Sequence, residues 1–70
     1  LNNNWYYMDE LGRMKTGWVW DNAWYYMDKS GAMKTGWVWD NAWYYLYNSG
    51  EMAKDTYIDG YYLDASGRLI

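Results

Sequence analysis

Cysteine, histidine and phenylalanine are absent from this chain. Without Cys there is no disulfide staple and no thiolate metal site, and without His the commonest general base and metal ligand is gone. Six basic residues face nine carboxylates, for a net charge of −3 and no basic cluster, which argues against nucleic acid and against an anionic membrane surface. No apolar run approaches the length of a membrane span, so membrane insertion is not expected. Nothing at the N-terminus reads as a signal peptide. The chain lacks an initiator Met and opens in mid-repeat, so it is expected to be a fragment cut from a longer protein. Its 70 residues make one domain or a piece of one, near the lower limit for a self-sufficient core.

What is present is aromatic: seven Trp and ten Tyr. A chain that needed only apolar volume would use Leu, Ile, Val and Phe. Trp and Tyr carry a flat π-face plus a polar handle, which suits partly wet surfaces and ligand walls. These aromatics recur. Met14 to Tyr26, MKTGWVWDNAWYY, returns unchanged as Met33 to Tyr45; Trp stands at 5, 24 and 43 and loop Gly at 12, 31 and 50, a period of 19. Such a period marks stacked repeats, each too small to bury a core alone.

Within a repeat, Trp18-Val19-Trp20 and Trp24-Tyr25-Tyr26-Met27 flank Asp21-Asn22-Ala23 and read as a β-hairpin. A three-residue turn pairs Trp20 with Trp24 and Trp18 with Tyr26. One face then holds Trp18, Trp20, Trp24 and Tyr26, the other Val19, Tyr25 and Met27. A two-residue turn at Asp21-Asn22 inverts the pairing and breaks up that face. The three-residue turn is favoured because it segregates the aromatics, although Ala23 suits a left-handed turn position poorly. Residues 1–8 hold a second strand with only an Asn-rich stub where its partner belongs. The last unit has an Asp59-Gly60 turn, with Thr56 where a Trp is expected and Gly60 in place of the WYY Trp, and it reads as a cap. No helical periodicity is visible. The expected organisation is one module over 1–70: a partial repeat 1–16, full repeats 17–35 and 36–54, and a degenerate capping repeat 55–70.

Catalysis finds little support. No Ser stands beside a plausible base, and the carboxylates Asp21, Asp28, Asp40, Asp59 and Asp64 fall at turn and loop positions, where Asp serves the backbone. Calcium-loop spacing is absent; no cofactor, metal or enzymatic activity is expected. Aromatic faces gathered from successive hairpins instead form a box that attracts a cation lacking a hydrogen-bonding shell, such as a quaternary ammonium. Each wall contributes roughly 0.5 to 2 kcal/mol, which leaves a single site at about millimolar affinity. Weak sites repeated along a rod suit a polymer that displays the ligand many times. The same aromatics can stack on sugar rings, and composition alone does not separate the two.

Gly17-Trp18 … Trp24-Tyr25-Tyr26 and Gly36-Trp37 … Trp43-Tyr44-Tyr45, each with a Gly-x-Met loop after it, resemble the choline-binding repeat of surface proteins and lytic enzymes of pneumococci, related streptococci and their phages. The resemblance covers nearly the whole chain. It implies an all-β solenoid of stacked β-hairpins joined by loops in a left-handed superhelix. It implies choline or phosphocholine of teichoic or lipoteichoic acid as partner, and an extracellular place at the bacterial wall. By this resemblance one site is Trp18, Trp24 and Tyr45 with Met33, a second is Trp37, Trp43 and Tyr62 with Met52, and a partial one uses Trp5 and Tyr26. Three departures stand out. The segment between the two Trp is one residue short. The last repeat lacks its GW Trp, so no site is expected after it. Trp20 and Trp39 replace a usually polar residue; they extend the site, pack between repeats, or form a self-associating patch, which leaves a homodimer open. The alternatives are a glucan- or other carbohydrate-binding repeat, or a structural or dimerisation repeat with no ligand.

Overall fold

In the computed structural model, which describes residues 4–70, each WVW…WYY pair folds back on itself. Strands β1 (Gly17–Trp20) and β2 (Trp24–Met27) pair antiparallel with Trp18 opposite Tyr26, Val19 opposite Tyr25 and Trp20 opposite Trp24. Strands β3 (Gly36–Trp39) and β4 (Trp43–Leu46) repeat that register. The turn therefore has three residues, closed by the Asp21 N–H donating to the Ala23 carbonyl at 2.9 Å. Its left-handed residue is Asn22 (φ 60°), with Asn41 (φ 58°) in the next hairpin. Asn tolerates that region, so Ala23 carries no strain.

The third hairpin, β5 (Thr56–Ile58) with β6 (Tyr61–Leu63), turns through Asp59 (φ 53°) and Gly60 (φ 84°), the double left-handed pattern of a type I′ turn. Here one expectation is corrected. Tyr57 pairs with Tyr62 as Trp37 pairs with Tyr45, so Tyr57, not Thr56, holds the GW Trp position. One extra residue between Met52 and Tyr57, compared with Met33 and Trp37, shifts the strand start, and the three residues missing between Tyr57 and Tyr62 come out of the turn and strand tips.

Val19, Val38, Met27, Leu46, Ala53 and Leu63 are buried. The two Val, with Met27 and Leu46, lie on the face opposite the Trp residues, so the alternation of a strand divides each hairpin into a core side and an aromatic side. After each hairpin the chain turns at a loop and returns along it: Met27 bridges Met33, Leu46 bridges Met52, and Leu63 bridges Leu69. The returning segment also reaches the hairpin before. Met33 N–H donates to the Trp5 carbonyl at 2.8 Å, Met52 N–H to Trp24 and Leu69 N–H to Trp43, each at 2.9 Å. Backbone bonds thus tie consecutive repeats together along the stack.

The loops are built on carboxylates. Asp28 Oδ1 accepts from the N–H groups of Ser30 and Ala32 and from the Ser30 hydroxyl; Asp64 does the same with Ser66 and Arg68, and Asp9 accepts from the N–H groups of Leu11 and Arg13. These bonds to the ionised form hold all three carboxyls below their ordinary pKa. The third loop has Tyr47 at this position, and its ring stacks edge-on against Tyr45.

Among the described residues there is no helix, and the hairpins form three separate two-stranded sheets rather than a closed barrel. The stack measures 38 × 22 × 21 Å. Residues 1–3, with most of the Asn-rich stub, lie outside the described residues; downstream of them Tyr6 bridges Ala32 and Met8 bridges Met14.

Candidate functional site

Trp18 is the hub of the first inter-repeat cleft. Cross-strand pairing brings Tyr26 to 4.9 Å between ring centroids, and Trp24 lies at 6.4 Å with its plane turned 89°. The next repeat closes the cleft with Tyr44, whose ring lies 4.8 Å from Trp18. Trp18, Trp24, Tyr44 and Met52 line a cleft of about 310 Å³, with Ser66 at its rim. The Ser66 hydroxyl already donates to Asp64.

The second cleft, about 350 Å³, repeats this composition with Trp37, Trp43, Tyr61 and Leu69. Trp37 and Tyr61 stand 6.0 Å apart at 87°. Tyr61 is 57% exposed, whereas Tyr44 is half-buried. Near the N-terminus, Trp5, Tyr25 and Met33 line a third cleft together with Tyr7 and Asp21. A hydrogen bond to the Asp21 carboxylate, helped by its charge, raises the pKa of the Tyr7 phenol there.

The structure brings some of the expected site residues together and separates others. The Trp18–Trp24 and Trp37–Trp43 pairs come together. The next repeat's contribution differs in each case: Tyr44 stands where Tyr45 was expected, Tyr61 for Tyr62, and Tyr25 for Tyr26. The reason is the strand's period of two. Tyr45 shares the Trp37 face and packs on Trp37 at 5.1 Å, so it belongs to its own hairpin's front. Successive hairpins stack front to back, and the wall comes from the back face, where Tyr44 sits.

The thioether assignments shift by one repeat as well. The returning strand donates from Met52 to Trp24 and from Met33 to Trp5, which carries Met52 to the first cage, Met33 to the Trp5 cleft, and Leu69 to the second cage. Trp20 and Trp39 stand at the strand tips, and Trp20 borders a cleft with Glu51 and Lys54 of the next repeat. Each meets its cross-strand Trp edge-on, at 5.3 Å from Trp24 and 5.4 Å from Trp43, and stays about 60% exposed.

Two residues escaped the sequence altogether. Asp40 Oδ2 accepts the Trp18 indole N–H at 2.8 Å, and Asp59 Oδ2 accepts that of Trp37 at 3.1 Å. The available signal was their recurrence at the repeat period, which a turn role already explained.

Chemically the cages offer π-faces and a thioether or an alkyl group, with the Trp18 and Trp37 indole donors turned outward and engaged. Such walls suit a soft, weakly hydrated cation or an apolar group.

A family profile for the choline-binding repeat matches residues 1–36 and again 19–57. Choline binding protein F of Streptococcus pneumoniae superimposes on 100% of this chain with a TM-score of 0.95 at 45% identity, the match covering 24% of that protein. The choline binding domain of Spr1274 from the same species gives 0.94 at 41% identity, over 100% of this chain and 88% of that one. The modular autolysin LytC of S. pneumoniae gives 0.86 at 32%, over 97% of this chain and 18% of that protein. The chain therefore spans about a quarter of choline binding protein F and less of the autolysin. No curated protein sequence matches it. Similar in sequence over residues 1–57 and in structure over its full length, the chain belongs to the choline-binding repeat family.

Proposed function

We propose that this chain is a non-catalytic attachment module whose inter-repeat cages hold the trimethylammonium group of choline, displayed on teichoic or lipoteichoic acid outside a Gram-positive cell. The observation that carries the reading is the recurrence of one cage: Trp18, Trp24, Tyr44 and Met52, then Trp37, Trp43, Tyr61 and Leu69. Two indoles and a phenol line each: Trp18 stands edge-on to Trp24 and Tyr44, and Trp37 edge-on to Tyr61, so a cation entering the cage meets several π-faces at once. Family membership supports the same ligand, and the autolysin among the similar proteins, solved in complex with a synthetic peptidoglycan ligand, supports a setting at the wall.

Calorimetric titration tests this. Choline in the millimolar range should bind two sites and raise the melting temperature by linkage, with ethanolamine far weaker. Tyr44→Ala and Trp18→Ala should each weaken the first site, and Trp37→Ala the second. A single wall is worth about 0.5–2 kcal/mol, or roughly 2- to 30-fold in affinity. Absence of any choline-dependent heat or melting shift would sink the reading.

One place favours a second reading, contact with a saccharide. Outside the first cage, Trp20 and Trp24 form a cleft of about 200 Å³ with Asn22, Glu51 and Lys54, the amide, carboxylate and ammonium groups that hydrogen-bond hydroxyls. If it takes sugar, Trp20→Ala weakens binding of a choline-bearing wall polymer while free choline is held as before. Equal losses for both ligands remove this reading.

A further inference from the structure

Asp21, Asp40 and Asp59 open the three hairpin turns at the 19-residue period. An Asp at a turn ordinarily serves the backbone. In the first two hairpins, however, the left-handed position is filled by Asn22 and Asn41. The carboxylate of Asp40 is instead turned toward the preceding repeat, onto the indole N–H of Trp18 at 2.8 Å, and Asp59 holds Trp37 at 3.1 Å. Asp21 likewise faces the preceding repeat: it lines the Trp5 cleft beside Tyr7, whose phenol pKa its carboxylate raises. Each repeat thus supplies a carboxylate to the aromatic cluster of the repeat before it.

We propose that Asp40 and Asp59 are specificity-determining residues of the two cages, each placing a negative charge at the edge of a cage indole so that a cation is preferred over a neutral group of the same shape. The inference rests on the reading of the cages as quaternary-ammonium sites. Its physical basis has two parts. An N–H bonded to an anion is polarised and pushes electron density into the ring, which deepens the negative potential of the π-face. The carboxylate's own field also reaches the cation across the ring, through a medium of lower effective dielectric than water.

Because the charge sits at the indole edge and is engaged there, the inner wall of the cage stays aromatic and apolar. A carboxylate on the wall itself would need water or a donor of its own. The two cages should differ in degree. The Trp18–Asp40 bond is shorter and partly buried, whereas the Trp37–Asp59 bond is exposed to solvent. Water screens the second charge more strongly.

The test uses Asp40→Asn and Asp59→Asn in the intact chain. The amide oxygen of Asn can still accept the indole N–H, so geometry is kept and charge alone is removed. Choline is titrated beside its neutral carbon isostere, in which a tert-butyl group replaces the trimethylammonium, at low and high salt. Near-ultraviolet circular dichroism checks that the aromatic packing survives. Asp40→Asn should weaken choline at its cage by about 3- to 10-fold, leave the isostere within error, and flatten the salt dependence. Asp59→Asn should do the same to a smaller extent. Equal losses for choline and isostere would assign the carboxylate a purely structural role and overturn the proposal, as would no loss for either. Should the unsubstituted chain bind no choline, the quaternary-ammonium reading itself falls and the proposal with it, an outcome visible before any variant is made.

Discussion

Replacing Gly50 by alanine would set a methyl group 2.5 Å from Met33 Sδ, 2.9 Å from Met33 Cε and 3.0 Å from Tyr25 Cδ2. Gly50 belongs to the loop after the second hairpin, and Met33 to the returning strand of the repeat before. A Cβ at Gly31 would meet Met14 Sδ, and one at Gly67 would meet Met52 Sδ, at the same 2.5 Å. The missing Cβ is what lets each loop seat on the thioether beneath it. Gly36 provides an internal control: its φ is +80° against +93° at Gly50, yet a Cβ there meets nothing within 4 Å.

Both alanine variants carry the cost of a left-handed L-residue, about 1–2 kcal/mol. Gly50→Ala adds overpacking, for which the general range is about 1–3 kcal/mol. The sulfur and methyl of Met33 end a flexible side chain and can yield, while the Tyr25 ring is stiffer, so about 1–2 kcal/mol of extra loss is expected. For a domain of this size that is a further drop of roughly 4–16 °C in melting temperature beyond Gly36→Ala. Thermal melts of both variants measure it, and a cycle with Met33→Ala isolates the contact. In the Met33→Ala background Gly50→Ala should cost about what Gly36→Ala costs. Equal drops for the two glycines, or no relief from removing Met33, would refute a loop-on-thioether seat.

Acid should loosen the loops. Asp28 is held below its ordinary value of 3.8 first by the Ser30 hydroxyl and then by backbone N–H groups, with Asp64 held likewise by Ser66 and Asp9 by Arg13. A folded-state pKa that is depressed means the unfolded chain binds protons first, so this stability is present above 3.8 and lost as pH falls through the lower folded value. Melts at descending pH check it, and Asp28→Asn should show a shallower acid decline than the unsubstituted chain. Trp20→Ala removes an edge-to-face pair at 5.3 Å and should cost about 0.5–1.5 kcal/mol in a denaturant melt. Leu46 is fully buried, and Leu46→Ala should cost about 2–5 kcal/mol, enough to unfold a small stack at room temperature by circular dichroism.

The part of this molecule that was legible in its sequence is the part decided within one hairpin. Trp18, Trp20, Trp24 and Tyr26 share a face only in the three-residue-turn register, and that register is the one formed. The Asp59-Gly60 turn is likewise a local matter of two residues able to take positive φ. What lies between repeats was not legible, and the cages lie between repeats. Tyr44 and Tyr45 are adjacent and chemically identical, and which of them reaches Trp18 depends on whether hairpins stack front to back or front to front. Nothing inside a single period encodes that choice. It is fixed by contacts that span periods: Met52 N–H on the Trp24 carbonyl, Gly50 on Met33, Asp40 on Trp18. A perfect repeat conceals these, because every residue in it has an identical counterpart one period away. The same degeneracy placed Met33 and Met52 one cage too far along, and it let Asp40 pass as a turn residue. Where the repeat decays, at Tyr57 and Gly60, the pairing shows which positions correspond, since Tyr57 facing Tyr62 marks the GW position that an offset of 19 assigns to Thr56. Imperfect repeats are therefore the informative ones for tracing contacts between neighbours, and the last hairpin of this chain carries that information.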